Sequence, residues 1–471
     1  MYMIICWKPN ICPFHKEDPM KIVIVGAGSI AFTPAILSGF CVDPRYKGAT
    51  IGLVDVNAET LELIAAYTHR VSTEFGLDWT VEASVNRREV LKEADIVTAS
   101  IGVGGLTAWE MDVDIPYQYG ILQPVGDTSG PGGLGRALRH IPVLVGIAKD
   151  MEDLCPRAVF YNFTNPLTVL TQAVNQLTKI RCIGLCIGPD LTWDHLCRVV
   201  GVNKKDTSVV IGGINHCHWI YDFRIHGDDA MPVLRAALDE LDGNPAEMEN
   251  FRKLYEPLNK RPQEPHGSQP LCTNLFRRFD AYPGPGDGHV AEFFPQLIRP
   301  YLSDPAQFQG GAIRNVKKTY PPLTQKMIDI ASGKAPIDAE LFAKEMYWEH
   351  TQLLDILVSE WDNLGQTFYI NVPNRGIITN LPADVVVEVP ATVDRAGIHP
   401  FALGDLPEAV IPVLAHKTSS LDLIIEAAME GSRKKAIQAM INDPNVNDIS
   451  LAHQVVNELI DCELSYLPNF Q

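Results

Sequence analysis

The 471 residues exceed what one ordinary hydrophobic core organises, so two domains are expected. The composition, 46% hydrophobic and 20% charged, is that of a globular protein, and a net charge of −18 argues against nucleic acid or an anionic membrane surface as partner. No apolar run has the length needed to span a bilayer.

Residues 1–19 hold a short apolar piece, Cys6, Cys12 and three prolines. The apolar piece is too short for a signal-peptide core, so a poorly ordered extension is expected. Cys6, Cys12 and His15 match no compact zinc spacing. The ten cysteines of the chain are scattered rather than arranged as a disulfide framework. Reduced thiols in a cytoplasm are the corresponding expectation.

The stretch from Met20 to Ile30 organises the rest of the chain. Four apolar residues, Ile22 to Val25, lead into Gly26-Ala27-Gly28, and Ala31 to Phe40 can open a helix. Strand, glycine turn and helix form a phosphate cradle, because the backbone can approach a pyrophosphate and the helix N-terminus favours its charge. Gly26, Gly28 and Ala31 fit the G-x-G-x-x-G/A fingerprint, with Ser29 and Ile30 in the same turn. Asp55 ends the next strand, Ile51 to Val56, 29 residues after Gly26. The usual spacing is about 20, and Cys41 to Thr50 accounts for the excess as an inserted loop. Asp55 would bind the adenosine ribose hydroxyls and select NAD over NADP, unless it merely ends a strand.

Up to about residue 200, strands alternate with helices. Asp95 to Gly102, Ala158 to Phe163 and Arg181 to Leu185 read as strands, and Ala58 to Phe75 and Arg136 to Asp150 as helices. That alternation predicts an α/β fold with a doubly wound, Rossmann-type parallel sheet, and ligands beyond the carboxyl ends of its strands. A boundary near residue 204 divides a dinucleotide-binding domain, 20–204, from an α+β domain, 205–471. In the second part, Ser208 to Ile214 and Trp219 to Ile225 read as antiparallel strands. Met231 to Leu241, Met248 to Leu258, Leu421 to Met440 and Ile449 to Leu459 read as helices. Residues 259–290 read as a long Pro/Gly-rich loop, and Val385 to Val389 as a strand.

Three polar clusters could carry chemistry. Gly126-Asp127-Thr128-Ser129-Gly130-Pro131-Gly132-Gly133 precedes a helix and could equally be a flexible connection. Asn215-His216-Cys217-His218-Trp219 lies between two strands and could be structural. Tyr282 to His289, with Glu292 after it, sets Asp287, His289 and Glu292 among turn formers, as either a placed acid/base group or a solvated loop tip. Cys186 and His216 are too far apart for a compact zinc pattern. Residue chemistry alone thus reaches an NAD-binding enzyme with two domains.

From Met20 onward the sequence resembles glycoside hydrolase family 4, the NAD- and divalent-metal-dependent glycosidases. The resemblance is carried by VGAGS at Val25, LVD ending in Asp55, TNP around Asn165-Pro166, GDTSGPGG, Gly213-Ile214-Asn215-His216, PGPGDGHVAEFFP and VPNRGIITNLPADVVVEVPATVDRAGIHP. The first domain is also similar to lactate and malate dehydrogenases, without their His-containing catalytic motif.

The resemblance implies glycoside cleavage by transient oxidation, outside the usual two-carboxylate scheme. NAD takes hydride from C3 of the sugar, which acidifies the C2 proton. A base removes that proton, a metal stabilises the oxyanion, C1–O breaks, and hydride returns. Carried over by position, Cys186 and His216 ligate the metal, typically Mn2+. Asn165, Asn215 and Arg375 bind substrate, and Asp127 contacts the sugar as the acid. Asp287 is the C2 base, with Tyr282 in reserve. Where unphosphorylated-sugar members have His after the ligand cysteine, and 6-phospho members Asp or Asn, this chain has Ile187. The motifs around Asp287 and Arg375 are nearer the unphosphorylated-sugar members. An α-hexoside or α-uronide, in a homodimer or homotetramer, is therefore expected. The alternatives are a 6-phospho-glycosidase, an NAD-dependent sugar or hydroxyacid dehydrogenase, and a non-catalytic NAD sensor.

Overall fold

The computed structural model describes residues 19–243, 269–298, 308–337, 349–446 and 448–471. The expected extension, apart from Pro19, and the expected helix Met248 to Leu258 lie outside them.

Six strands form the parallel half of one sheet: β1 (Lys21–Val25), β2 (Thr50–Val54), β3 (Thr80–Ser84), β4 (Ile96–Ala99), β5 (Val159–Asn162) and β6 (Cys182–Gly184). Their spatial order, β3-β2-β1-β4-β5-β6, is that of a dinucleotide-binding sheet. The continuous apolar run of β1 follows from burial on both faces. Ile22 and Ile24 enter one core with the helices Phe32–Cys41 and Ala58–Glu74, and Val23 and Val25 enter the other with the helices Gly130–Leu154 and Leu167–Leu177.

The sheet then continues across residue 204 without a break. β7 (Thr207–Ile214), β8 (Cys217–Ile225), β9 (Asp228–Asp229), β10 (Tyr282–Gly284), β11 (Gln366–Pro373), β12 (Val386–Asp394) and β13 (Gly397–Pro400) come next in the chain. β11 joins β6 antiparallel through Asn371 and Gly184, and β12, β7, β8 and β10 extend the sheet beyond it. The doubly wound α/β class is as expected, with the α+β half built on the same sheet.

Several elements differ from expectation. β3 and β11 go unpredicted. β3 is a half-buried edge strand with a weak apolar signal. The helix expected from Arg136 starts at Gly130 instead. A Cβ at Gly132 would lie 2.4 Å from the Asp112 carbonyl oxygen, so the glycines there serve close packing of a helix. The loop expected over 259–290 contains the helix Pro270–Phe279, which buries Leu271, Cys272, Leu275 and Phe276. Gly431, at φ +68°, splits the expected helix Leu421 to Met440 into Leu421–Glu430 and Arg433–Ile441. Among the described residues no helix is long and apolar enough to cross a membrane.

Candidate functional site

The carboxyl ends of the parallel strands gather the predicted residues. After β1, Gly26 has φ +83°, and a Cβ there would sit 2.2 Å from the Ser100 carbonyl oxygen, so only glycine fits. The Gly26 and Ala27 N–H groups donate to the Val54 carbonyl at 2.9 and 3.0 Å, tying the turn to β2. Gly28 N donates to Asp55 Oδ2 at 2.7 Å, and Asn57 N to Asp55 Oδ1 at 2.9 Å. A Cβ on Gly28 would lie 2.8 Å from that same Oδ2. Ser29 Oγ accepts from Phe32 N at 3.1 Å. The helix Phe32–Cys41 has no side-chain cap at Ala31, and Ile30 is half-buried beside it. The helix Gly105–Gln118, opening after β4, is also uncapped by a side chain. The uncapped N-terminus of the helix Gly105–Gln118, a glycine turn at the start of the helix Phe32–Cys41 and a carboxylate at the end of β2 fit a dinucleotide.

A cluster stands beyond β5, β6 and the β7–β8 hairpin. His216 occupies the two-residue turn Asn215-His216, between the paired residues Ile214 and Cys217, with φ +62°. Such left-handed geometry is uncommon for histidine and marks a placed residue. His216 Nε2 is 3.7 Å from Cys186 Sγ. Cys186 follows β6, and its sulfur accepts the Gly188 N–H at 3.3 Å, where the N-terminus of the helix Gly188–Val199 favours negative charge. On the other side of the ring, His216 Nδ1 is 2.7 Å from Thr128 Oγ1, which lies 2.7 Å from Asp127 Oδ1. Asn165 Nδ2 donates to Asp127 Oδ2 at 3.0 Å. The His289 ring lies 3.9 Å from the His216 ring, centroid to centroid. Asp127, His216 and His289 bring ligand atoms within 4.8 Å of one another. The Cys186 thiol, the His216 imidazole and the Asp127 carboxylate form a donor set that fits a divalent ion.

Electrostatics suit that role. Burial, helped by the neighbouring His289, pulls the His216 pKa well below its usual value, so the imidazole is neutral and can ligate. Burial also lowers the pKa of His289. Burial opposes the Asp127 charge, but its polar neighbours, the Arg136 guanidinium and the Thr128 hydroxyl among them, outweigh it and hold the group below the usual carboxylate range. Glu292 is pushed up to about 8, first by burial and then by Asp127. It accepts the Val125 and Gly126 N–H groups at 2.8 and 2.7 Å and so buttresses the loop that carries Asp127.

Behind the hairpin, Glu388 of β12 anchors the His216 turn. Its Oε1 accepts from Asn215 Nδ2 at 3.1 Å and Asn371 Nδ2 at 2.8 Å. Its Oε2 lies 2.7 Å from His218 Nδ1, and His218 Nε2 is 3.0 Å from Thr192 Oγ1. Nothing in the local sequence singles out this buried network.

Cys186, His216, Asp127 and Asn165 are brought together, with Asn215 behind them. Three expected site residues are placed elsewhere. Asp287 uses both carboxylate oxygens on the N–H groups of Leu271 and Cys272, at 3.0 and 2.9 Å, at the start of the helix Pro270–Phe279. It is a helix cap, and His289 of the same segment reaches the cluster in its place. Arg375 does not reach the site. β11 runs antiparallel to β6, so the chain beyond Pro373 emerges at the edge where β6 begins, and Arg375 is exposed beside Arg181. Tyr282 is buried on β10, its ring 5.9 Å from that of His195, in a small pocket with Thr192 and Gln269.

The family model described as Family 4 glycosyl hydrolase matches residues 21–202, and that for the family's C-terminal domain matches residues 211–446. The chain is 30% identical to the alpha-galacturonidase of Bacillus subtilis (strain 168) over 466 residues, covering 95% of this chain and 99% of that protein. It is 28% identical to the alpha-galactosidase of Rhizobium meliloti (strain 1021) over 476 residues, covering 96% and 89%. Among solved structures, lplD of Bacillus subtilis, described as a candidate glucosidase, superposes with a TM-score of 0.81 at 28% identity, over 94% of this chain and 100% of that one. A 6-phospho-alpha-glucosidase from gut microorganisms, solved with NAD and Mn2+, shares the fold at 19% identity with a TM-score of 0.78, over 96% and 100% of the two chains. With both domain models matched along most of its length, the chain belongs to family 4 of the glycosyl hydrolases.

Proposed function

We propose that this glycosyl hydrolase cleaves unphosphorylated α-hexosides or α-uronides with bound NAD and a divalent metal, manganese being the expected ion. The observation that carries the reading is the cluster of Cys186, His216, Asp127 and His289 at the same sheet edge as the Gly26–Gly28 turn. The two parts touch: the Phe32 ring, which starts the helix after the turn, lies 6.1 Å from Phe163, two residues before Asn165. When bound, NAD supplies an acceptor that takes and returns a sugar hydride, and the metal supplies a Lewis acid for sugar oxygens.

The chain's own residues do the rest. Cys186 and His216 hold the metal, with the Asp127 carboxylate beside it. Asn165 and Asn215 orient the sugar and the His216 turn. Asp127 is ionised in the resting site, so it draws protons rather than donating one at the outset. The C2 proton goes to the neutral imidazole of His289, the group of the Tyr282–His289 segment that faces the cluster. A cytoplasmic homodimer or homotetramer is the state that goes with this reading.

The test is a panel of α- and β-nitrophenyl hexosides, uronides and 6-phosphohexosides with NAD, Mn2+ and thiol. Nitrophenol release without net NADH is expected. Steady NADH formation with the glycosidic bond intact would instead identify a dehydrogenase.

A further inference from the structure

Arg136 stands one turn and a half into the helix Gly130–Leu154, beside the cluster, and is half-buried. Its Nε donates to the Asn165 carbonyl at 3.1 Å. Its guanidinium lies over the Trp109 ring, 5.3 Å from the centroid. The Trp109 ring is itself fixed by Nε1 donating to the Val125 carbonyl at 2.7 Å. Through Asn165, Arg136 connects to Asp127, whose charge it also feels. The neighbouring cations are occupied. Arg139 is paired with Asp112 and Glu463, and Lys417 with Asp443. The two terminal nitrogens of Arg136 make no hydrogen bond within the described residues, yet they are not sealed from solvent.

A guanidinium offers five donors in a planar fork that matches paired oxygens. Here one donor and one face are engaged, and burial works against the charge. A substrate that expels water from this spot must replace the solvent partners of the fork. We propose that Arg136 is a substrate-contacting residue whose terminal nitrogens take a pair of sugar oxygens next to Asn165 and Asp127. This deepens the proposed glycosidase function and rests on it. A uronide carboxylate is the strongest partner for such a fork, and two neighbouring hydroxyls offer the same paired geometry more weakly.

The experiment combines turnover with calorimetry on the Mn2+- and NAD-loaded protein, using free galacturonate and galactose as probes. Arg136→Gln is expected to weaken sugar binding at least tenfold, raising KM more than it lowers kcat. NAD affinity and the melting temperature should stay as in the wild type. Arg136→Lys, which keeps the charge without the fork, should recover only part of the loss. A loss confined to galacturonate identifies the oxygen pair as a carboxylate, and an equal loss on both sugars identifies hydroxyls. A fall in NAD affinity, a fall in kcat alone, or unchanged sugar binding overturns the assignment. Because free-sugar binding needs no turnover, a protein that binds sugar through Arg136 but cleaves no glycoside would sink the glycosidase reading alone. Cleavage indifferent to Arg136 would sink this inference alone.

Discussion

Thr128 Oγ1 sits 2.7 Å from Asp127 Oδ1 and 2.7 Å from His216 Nδ1. Its one hydrogen goes to the carboxylate, so the hydroxyl accepts from Nδ1–H of the ring. That fixes the His216 tautomer and leaves the Nε2 lone pair facing Cys186 Sγ, 3.7 Å away. A metal ligand held this way loses affinity when its outer partner is removed, by about 10–100-fold. Thr128→Val keeps the shape and removes the hydroxyl. It is expected to weaken Mn2+ binding by that factor, read by electron paramagnetic resonance titration, with the melting temperature of the metal-free protein nearly unchanged.

Glu388 joins three strands through one carboxylate. Truncation leaves Asn215 Nδ2, Asn371 Nδ2 and His218 Nδ1 buried without their acceptor. Breaking a buried polar network from one side costs about 3–5 kcal/mol. Glu388→Ala should therefore shift the urea midpoint strongly downward, and Glu388→Gln, which keeps an acceptor, should shift it less. Metal affinity should fall as well, because Asn215 adjoins His216 in the turn.

The fold should be acid-sensitive through His140 and Asp443. His140 is buried. Burial first, and then Arg136 and Arg139, hold its pKa well below the usual value. Its Nδ1 donates to the Arg136 carbonyl at 2.7 Å, and its Nε2 accepts the Val103 N–H at 3.1 Å, a pairing that requires the neutral ring. Asp443 is opposed by burial, yet Lys417 and local hydrogen bonds bring its pKa below normal. Both pKa values are lower in the folded than in the unfolded chain, so the unfolded state binds more protons and stability rises with pH. The His140 share is complete above about 6.5 and the Asp443 share above about 4; each is lost as pH falls through the lower folded value. Glu292, raised to about 8, acts in the opposite sense, so the reading is the urea-midpoint difference between wild type and His140→Gln, which lacks a titrating group. From pH 8 to 4 that difference should shrink as the pH falls.

How much could be read from the sequence depended on how local each feature is. The Gly26 turn is a contiguous strand–turn–helix pattern, so its conformation follows from adjacent letters, and Asp55, 27 positions from Gly28, was reached because the fingerprint expects an acid at the end of the second strand. Cys186 and His216 lie on different elements and needed a family resemblance to be joined. Arg136 and Glu388 gave no signal, because their partners are distant: Asn165 is 29 positions from Arg136, and Asn215 is 173 from Glu388. Arg375 was misplaced for a related reason. Its motif carries no mark of the antiparallel run of β11 along β6, which sends it to the opposite edge.

The sharpest separation lies between Asp287 and His289. The sequence motif favours Asp287 as the base, but each of its oxygens accepts a backbone N–H at the start of the helix Pro270–Phe279, and Gln269 Oε1 accepts the Asp287 N–H at 2.7 Å. A carboxylate with both oxygens engaged by backbone donors serves as a helix cap. Asn caps a helix about as well as Asp, so Asp287→Asn should melt close to the wild type and still exchange the C2 proton with solvent deuterium. His289 faces the cluster as a neutral ring. His289→Asn should stop that exchange while leaving NAD binding intact. Mass spectrometry of recovered substrate in deuterium oxide reads both variants, provided that Mn2+ occupancy is matched by titration. Exchange lost in Asp287→Asn and retained in His289→Asn would return the base to Asp287, and would require that helix terminus to release its cap when sugar binds.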